Sequence, residues 1–190
     1  VELNPEINPK IKINKMYEGL VSNVKNKKDL EYIKSNLQDA KFFLKALNNR
    51  NLTIHRVAKV IMKKQEDFLT HGKIALKPLV LRDISSILNL HESTISRSTS
   101  NKYIQTPRGV YELKYFFSSE IKTDYGKKLS SITIKEMIKK LINDEDARSP
   151  LSDSQISKSF SDNGIKVARR TITKYRESMG IPSSTDRRLK

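Results

Sequence analysis

An apolar stripe that runs from Leu30 to Phe68, at alternating steps of three and four residues, most constrains the fold of this chain. Ten of its twelve positions are apolar, and neither Pro nor Gly interrupts it before Gly72. That period is typical of one face of an α-helix. The polar run at 48–51 favours a pair of helices, but the stripe keeps its phase across it. We therefore predict one long helix of about 40 residues, about 60 Å at ~1.5 Å per residue.

The segments around this helix differ in pattern. Residues 1–28 alternate apolar and polar side chains and contain prolines, which predicts an extended lead-in. Helical periodicity continues through 29–118, residues 119–130 have the composition of a linker, and helical periodicity returns in 131–190. We predict an all-α fold, in which a long helix and a first helix-turn-helix unit are joined by a flexible linker to a small C-terminal helix-turn-helix domain.

Charge and composition limit the partners. The chain carries 37 Lys and Arg against 21 Asp and Glu, a formal net charge of +16, which favours a polyanion. Nucleic acid and an anionic membrane are the leading candidates, and the membrane is the weaker one because no apolar run approaches the ~20 residues of a spanning helix; we expect no membrane partner. The chain has no Cys and three scattered His, so we expect no metal site and no cofactor. It begins at Val1, which predicts a fragment or a processed product.

The first helix-turn-helix pattern covers residues 81–97. Asn89 can adopt the left-handed conformation that closes a helix. Apolar positions before and after it predict two packed helices: Ile84, Ile87, Leu88, Leu90 and Ile95. The second helix presents four candidate DNA-binding residues: Glu92, Ser93, Thr94 and Arg97. A carboxylate can accept from the cytosine amino group, Arg can take both guanine acceptors, and short hydroxyls can approach phosphates. Two ordinary packed helices with a charged face are the alternative.

The second pattern is sharper. A helix is predicted to begin after Pro150 with Ile156 and Phe160 buried, and to end at 163–164, Asn-Gly. The next helix has a predicted core face of Ala168, Ile172, Tyr175 and Met179. Its predicted outward face carries Arg169, Arg170, Thr173, Lys174 and Arg176. Cations on the outer face of a helix that follows a tight turn suit insertion into the major groove, although a merely solvated face is the alternative.

The tail adds further positive charge. Residues 187–190, Arg-Arg-Leu-Lys, are predicted either to make sequence-independent phosphate contacts or to be disordered.

Residues 168–177, ARRTITKYRE, closely resemble the RpoN box of bacterial sigma-54 (sigma-N) transcription factors, whose usual form is ARRTVAKYRE. The stretches 90–97 and 106–118 also resemble motifs of that family, in the expected order. The resemblance extends over essentially the whole chain. It implies a non-enzymatic, cytoplasmic transcription initiation factor that binds double-stranded promoter DNA.

The resemblance also implies site roles and partners. The RpoN-box helix would read a GG element near minus 24 through Arg169, Arg170, Lys174 and Arg176, and the first unit would sit at a GC element near minus 12 with Glu92 and Arg97. Core RNA polymerase would bind mainly through an upstream domain, of which 1–28 is the end. An AAA+ activator would act through an N-terminal region that this chain lacks.

Three other classes of protein compete with this interpretation. A repressor with a helix-turn-helix would share the DNA face but usually reads a palindrome, whereas the two units here differ in sequence. A tyrosine recombinase would use Tyr175 as nucleophile, but this residue falls on the apolar stripe, so we expect no catalytic residue. An RNA-binding protein would need exposed aromatic residues for stacking, and aromatics make up only 7% of the chain.

Overall fold

The computed structural model describes residues 1–6, 11–20, 26–118, 120–122 and 128–188. Two compact units divide the chain, Val1–Lys59 and Val60–Lys190. Helices dominate both, and the described strands form two small antiparallel pairs. The all-α prediction is therefore confirmed as the fold class, with two short hairpins that the sequence pattern did not indicate.

The lead-in contains one short helix where the sequence predicted extended chain. Helix α1 spans Lys15–Leu20, and the residues described before it have no regular structure. Asn14 accounts for the helix, because its side-chain oxygen accepts the Met16 N–H at 3.0 Å and its carbonyl accepts the Tyr17 N–H at 3.1 Å. An Asn at this position caps the first turn and favours helix over the extended chain that Pro5 and Pro9 suggest. The predicted extension at 7–10 and 21–25 lies outside the described residues.

The long helix is confirmed as one continuous element. Helix α2 runs over 38 residues, Lys27–Lys64, straight through the polar run at 48–51. Asn26 caps its start by accepting the Lys28 N–H at 3.1 Å. Every stripe position from Leu30 to Leu47 is less exposed than the polar positions beside it, and the stripe is fully buried at Ile61. The periodicity therefore identified the buried face of α2 correctly.

Gln65 directly follows the last residue of α2 and fixes the end of that helix. This fully buried side chain donates to the Lys77 carbonyl at 2.7 Å and to the Phe116 carbonyl at 3.3 Å, and accepts the Lys77 N–H at 2.9 Å. Helix α3, Glu66–His71, and a 3₁₀ turn, Gly72–Ala75, follow. Because one polar side chain satisfies three backbone groups, the end of α2 is fixed to two later segments of the chain.

The segment after this 3₁₀ turn combines two helices and a hairpin. Helices α4, Leu81–Leu88, and α5, Glu92–Thr99, precede strands β1, Tyr103–Thr106, and β2, Gly109–Glu112, and a 3₁₀ turn at Leu113–Phe116. Four aromatic rings pack together beneath the hairpin with centroids 5.1 to 6.1 Å apart: Phe68, Tyr111, Tyr115 and Phe116. The prediction that the aromatic run at 115–117 belongs to a core is confirmed for Phe116, which is fully buried.

The predicted linker contains a second strand pair. Strand β3, Glu120–Lys122, pairs with β4, Lys128–Ser130, and residues 119 and 123–127, on which the predicted flexibility mainly falls, lie outside the described residues. Directly after β4 the chain contacts the segment that follows α3, because the buried Thr133 hydroxyl donates to the Leu76 carbonyl at 2.9 Å. The domain boundaries themselves stay predictions.

The C-terminal segment is built from four helices. They are α6, Ser131–Asn143, α7, Asp153–Asp162, α8, Arg169–Ser178, and α9, Ser184–Arg187. Their common core is apolar and is formed mainly by Ile134, Ile138, Ile156, Phe160, Ile165, Val167 and Ile172. No helix among the described residues is long and apolar enough to span a membrane, and those residues contain no group of acidic and His side chains suited to a metal ion.

Candidate nucleic-acid interface

Helices α7 and α8 form a helix-turn-helix with well-defined ends. Ser152 and Gln155 cap α7 reciprocally, and its C-terminus is closed at Asn163 before Gly164 adopts a positive φ of 71°. Gly suits that left-handed conformation because it has no Cβ to clash. The Ile165 N–H then donates to the Phe160 carbonyl at 2.8 Å. The predicted start of the first helix and its stop at Asn-Gly are confirmed.

The outer face of α8 carries cations, as the sequence predicted. Arg169, Arg170 and Lys174 are exposed, whereas Ile172 is fully buried in the core. Lys174 follows Arg170 by four residues, so these two side chains lie on one face of the helix. Among the described residues, no side chain caps the first turn of α8. Unpaired N–H groups and cationic side chains at the same helix end suit a phosphate or a base edge.

Three predictions about α8 are wrong, those for Ala168, Arg176 and Thr173. Ala168 was expected in the core but is exposed. It is the N-cap of α8 and has extended backbone, so the helical period that predicts the buried face does not apply to it. Arg176 was expected to point outward, but it is only 5% exposed. Because it follows Ile172 by four residues, the helix turns it toward the core side, where a carboxylate receives it.

All three nitrogens of the Arg176 guanidinium donate hydrogen bonds. Its Nε donates to Asp153 Oδ1 at 2.9 Å and its Nη2 to Asp153 Oδ2 at 3.1 Å, and its Nη1 donates to the Ile181 carbonyl at 2.7 Å. These bonds join the start of α7, the end of α8 and the segment beyond α8. The hydrogen bond from the guanidinium, opposed by burial, holds the pKa of Asp153 below its usual value. The same bond raises the pKa of Arg176.

Thr173 is half-buried and also faces Asp153. Its hydroxyl lies 2.9 Å from Asp153 Oδ2 and 3.1 Å from the Arg169 carbonyl. The structure therefore brings Arg169, Arg170 and Lys174 to the outer surface of α8, and turns Thr173 and Arg176 toward α7.

Helices α4 and α5 form the first helix-turn-helix. Asn89 closes α4 in the left-handed region, with φ 52° and ψ 49°, as predicted. The turn is fixed where the Ser85 hydroxyl donates to the Leu90 carbonyl at 2.7 Å. Ile84 and Ile95 are fully buried, but Ile87 is 51% exposed. The expectation that Ile87 belongs to the core is wrong. Its side chain lies at a surface groove that is also lined by Lys77 and Pro78.

Three of the predicted contact residues of α5 lie at its first turn, and Arg97 lies in its last turn. Glu92, Ser93 and Arg97 are exposed, and Thr94 is half-buried. His91, which the sequence pattern did not single out, is the N-cap: its Nδ1 accepts the Ser93 N–H at 3.2 Å and lies 2.8 Å from the Ser93 hydroxyl. Arg97 Nη2 in turn donates to Ser93 Oγ at 3.3 Å. The exposed polar groups of this turn are thus already arranged relative to one another.

The C-terminal arginines do not share one role. The Arg187 side chain is only 10% exposed, and its Nε and Nη2 donate to Glu145 Oε1 at 2.7 Å and Oε2 at 3.1 Å. Burial opposes ionisation of Glu145, but hydrogen bonds from Arg187 and the Leu151 N–H outweigh it and lower the pKa of Glu145. Of 187–190, predicted either to contact phosphates or to be disordered, Arg187 lies in α9 with its guanidinium bound to Glu145, Arg188 is exposed, and 189–190 lie outside the described residues.

Two acidic residues of this segment were missed. Asp153 has the appearance of an ordinary first-turn acid of α7, and Glu145 lies in a polar stretch between helices. The arginines indicated that such acids exist, since a guanidinium at a core-facing position requires a carboxylate partner. Which carboxylate it is could not be read from spacing, because the partners lie 23 and 42 residues away.

Two helix-turn-helix units, the second with an exposed cationic outer helix, define a DNA-binding protein of the helix-turn-helix class. The family described as "Sigma-54, DNA binding domain" matches residues 30–189. The chain belongs to this sigma-54 family, and the resemblance seen in its sequence is confirmed.

Similar proteins cover the whole chain. It is 52% identical over 190 residues to an RNA polymerase sigma-54 factor of Vibrio anguillarum, covering 100% of this chain and 39% of that protein. It is 47% identical over 188 residues to the one of Escherichia coli K12, covering 99% and 39%. A crystal structure of Aquifex aeolicus sigmaN bound to promoter DNA is similar with a TM-score of 0.61 and 37% identity, covering 98% of this chain and 55% of that one.

The chain thus spans about two fifths of the length of the curated relatives that it matches.

Proposed function

We propose that this chain recognises a promoter through two elements, a GG near minus 24 and a GC near minus 12. The observation that carries the proposal is the outer face of α8, where Arg169, Arg170 and Lys174 are exposed after a tight turn. At least one arginine reads guanine O6 and N7 in the major groove, and the other cations hold phosphates and fix the register. Thr173 and Arg176 support this helix from its inner side.

In this proposal, helix α5 binds at the downstream element. Glu92, Ser93 and Arg97 are exposed on α5 and Thr94 is half-buried, and these are the groups that would face the DNA. A carboxylate accepts from the cytosine amino group, and Arg pairs with guanine. The hydrogen bond between Arg97 and Ser93 supports the proposal because it holds the guanidinium beside the first turn of the helix.

Two different reading helices imply an asymmetric site. Elements twelve base pairs apart lie about one helical turn (~10–10.5 base pairs) from each other, so both helices can approach one side of the duplex. The net charge of +16 adds attraction that does not depend on sequence.

The partners of the whole factor belong to the same proposal. The relatives are named for RNA polymerase, and the chain spans about two fifths of their length. We propose that core polymerase binds mainly outside residues 29–190, that an AAA+ activator acts through a segment outside this chain, and that the factor works in the cytoplasm. The fragment is then expected to bind promoter DNA, but to bind core polymerase much more weakly than a full-length factor in a pull-down.

Fluorescence anisotropy with labelled duplexes tests the proposal. The first duplex carries both elements twelve base pairs apart, the second has the GG replaced, and the third has the spacing altered by half a turn. Each is titrated at several salt concentrations. Loss of the GG is expected to cost about 1–3 kcal/mol or more, and the half-turn shift is also expected to weaken binding. Equal affinity for all three duplexes, with only a steep salt dependence, would show a non-specific nucleic-acid binder.

A further inference from the structure

We infer that Asp153 is a positioning residue for DNA recognition, so that an acidic side chain of this highly basic protein is required for tight specific binding. Asp153 acts through Arg176 and Thr173, which it holds in place, and it is not itself a DNA contact. The inference rests on the proposed function, because it assigns the group that sets the orientation of the reading helix.

The geometry of the pair restricts how α8 can move. The guanidinium of Arg176 is planar, and it forms two nearly parallel bonds to the two oxygens of Asp153, at 2.9 and 3.1 Å. A bidentate pair of this kind fixes direction as well as distance. The remaining Nη1 bond to the Ile181 carbonyl, at 2.7 Å, ties the chain beyond α8 to the same group.

Thr173 provides a second point of attachment one turn earlier in α8. Its hydroxyl reaches Asp153 Oδ2 at 2.9 Å, so a single carboxylate contacts two successive turns of the helix on one side. Two such points oppose rotation of α8 about its own axis. Arg170 and Lys174 lie on the exposed side of the same helix, so any rotation of α8 would move their charged groups across the groove.

The burial of Arg176 shows that it supports α8 rather than contacting a phosphate. The side chains of Arg176 and Asp153 are 7% and 16% exposed, and the bonds to Asp153 and Ile181 engage the Nε and both terminal nitrogens of the guanidinium. To reach DNA, Arg176 would have to leave a carboxylate that would then be buried without its partner. Breaking such a pair is strongly destabilising.

An effect of charge alone and a positioning role for Asp153 predict opposite changes in DNA affinity for Asp153→Asn. Asp153→Asn removes a negative charge close to the proposed DNA face, and attraction by charge alone would then increase the affinity for DNA. If Asp153 positions α8, the same change weakens the bidentate pair and lowers the affinity for the GG duplex. Asp162→Asn is the matched control, because Asp162 lies in the same helix and is exposed.

The experiment uses the whole chain and the duplexes with and without the GG element, with circular dichroism to confirm that each variant is folded. Asp153→Asn is expected to lose about tenfold in affinity for the GG duplex, and little for the duplex without it. Asp162→Asn is expected to bind both duplexes as the wild type does, or slightly more tightly. Arg176→Gln, which removes the positive charge, is expected to lose GG discrimination with an unchanged salt slope, since Arg176 makes no phosphate contact.

Thr173→Val is the milder second variant, because it removes one hydrogen bond and retains the ion pair; a several-fold loss restricted to the GG duplex is expected. A folded Asp153→Asn chain that binds the GG duplex as tightly as the wild type, or more tightly, overturns the inference alone. So does a salt slope that falls by about one in Arg176→Gln. A wild-type chain that does not distinguish the two duplexes overturns the proposed function itself.

Discussion

Replacement of Arg187 by Ala is expected to destabilise the C-terminal segment without removing a DNA contact. Arg187 and Glu145 are 10% and 7% exposed, and the guanidinium also donates to the Leu151 and Pro182 carbonyls, at 3.0 and 2.6 Å. Breaking a buried ion pair by removing one partner costs about 3–5 kcal/mol. The lower end applies here, about 3 kcal/mol, because α9 is the last described helix and water can reach Glu145 once it detaches.

The assay is thermal unfolding followed by circular dichroism, with DNA affinity measured at a temperature where both proteins are folded. At about 2–4 °C per kcal/mol for a chain of this size, Arg187→Ala is expected to lower Tm by about 6–12 °C. Arg188→Ala is the control, because Arg188 is exposed and donates only to the Arg148 carbonyl at 3.3 Å among the bonds described; a change within about 0.5 kcal/mol is expected. Equal Tm values for the two variants, or a salt slope that falls only in Arg187→Ala, would refute the reasoning.

Three further predictions concern stability. First, the pKa values of Asp153 and Glu145 are lowered in the folded state. The stabilisation from these two carboxylates is therefore complete above the unfolded carboxyl pKa of about 4, and it is lost as pH falls through the lowered values. Tm measured from pH 7 to pH 2 should fall mainly below about pH 4. Asn89→Gly should raise the free energy of unfolding by about 0.5–1 kcal/mol in urea titrations, since φ is 52° there, and an unchanged or lower value would contradict this. Gln65→Leu should lower it by at least about 2 kcal/mol by leaving three backbone groups without their partner, and a neutral effect would contradict the described hydrogen bonds.

The parts of the fold that sequence predicted are those governed by local periodicity. The stripe of α2 continues in phase through the Asn-rich run, and the structure has one helix there because apolar positions on both sides pack on the same face. Arg169, Arg170 and Lys174 were placed outward correctly for the same reason. The hairpins were not predicted, since a strand pair depends on partners that periodicity within one short segment does not show.

The parts that sequence could not predict depend on pairs distant in the chain. Arg176 and Arg187 were interpreted as part of a DNA-facing charge, and their burial depends on carboxylates that α7 and the α6–α7 connection bring to them. A count of charges cannot separate an arginine that faces DNA from one that holds the protein together. Position on the helical wheel helps only partly, because Arg176 lies at the edge of the buried face.

The central claim is that an arginine at the start of α8 reads the GG element. We would measure binding of the wild type, Arg169→Ala and Arg170→Ala to duplexes in which 7-deazaguanine replaces each guanine of the element, which removes the N7 acceptor. The account predicts that the wild type loses affinity, by up to the ~1–3 kcal/mol of a bidentate contact, and that one arginine variant shows no further loss. Equal losses in the wild type and both variants would contradict it.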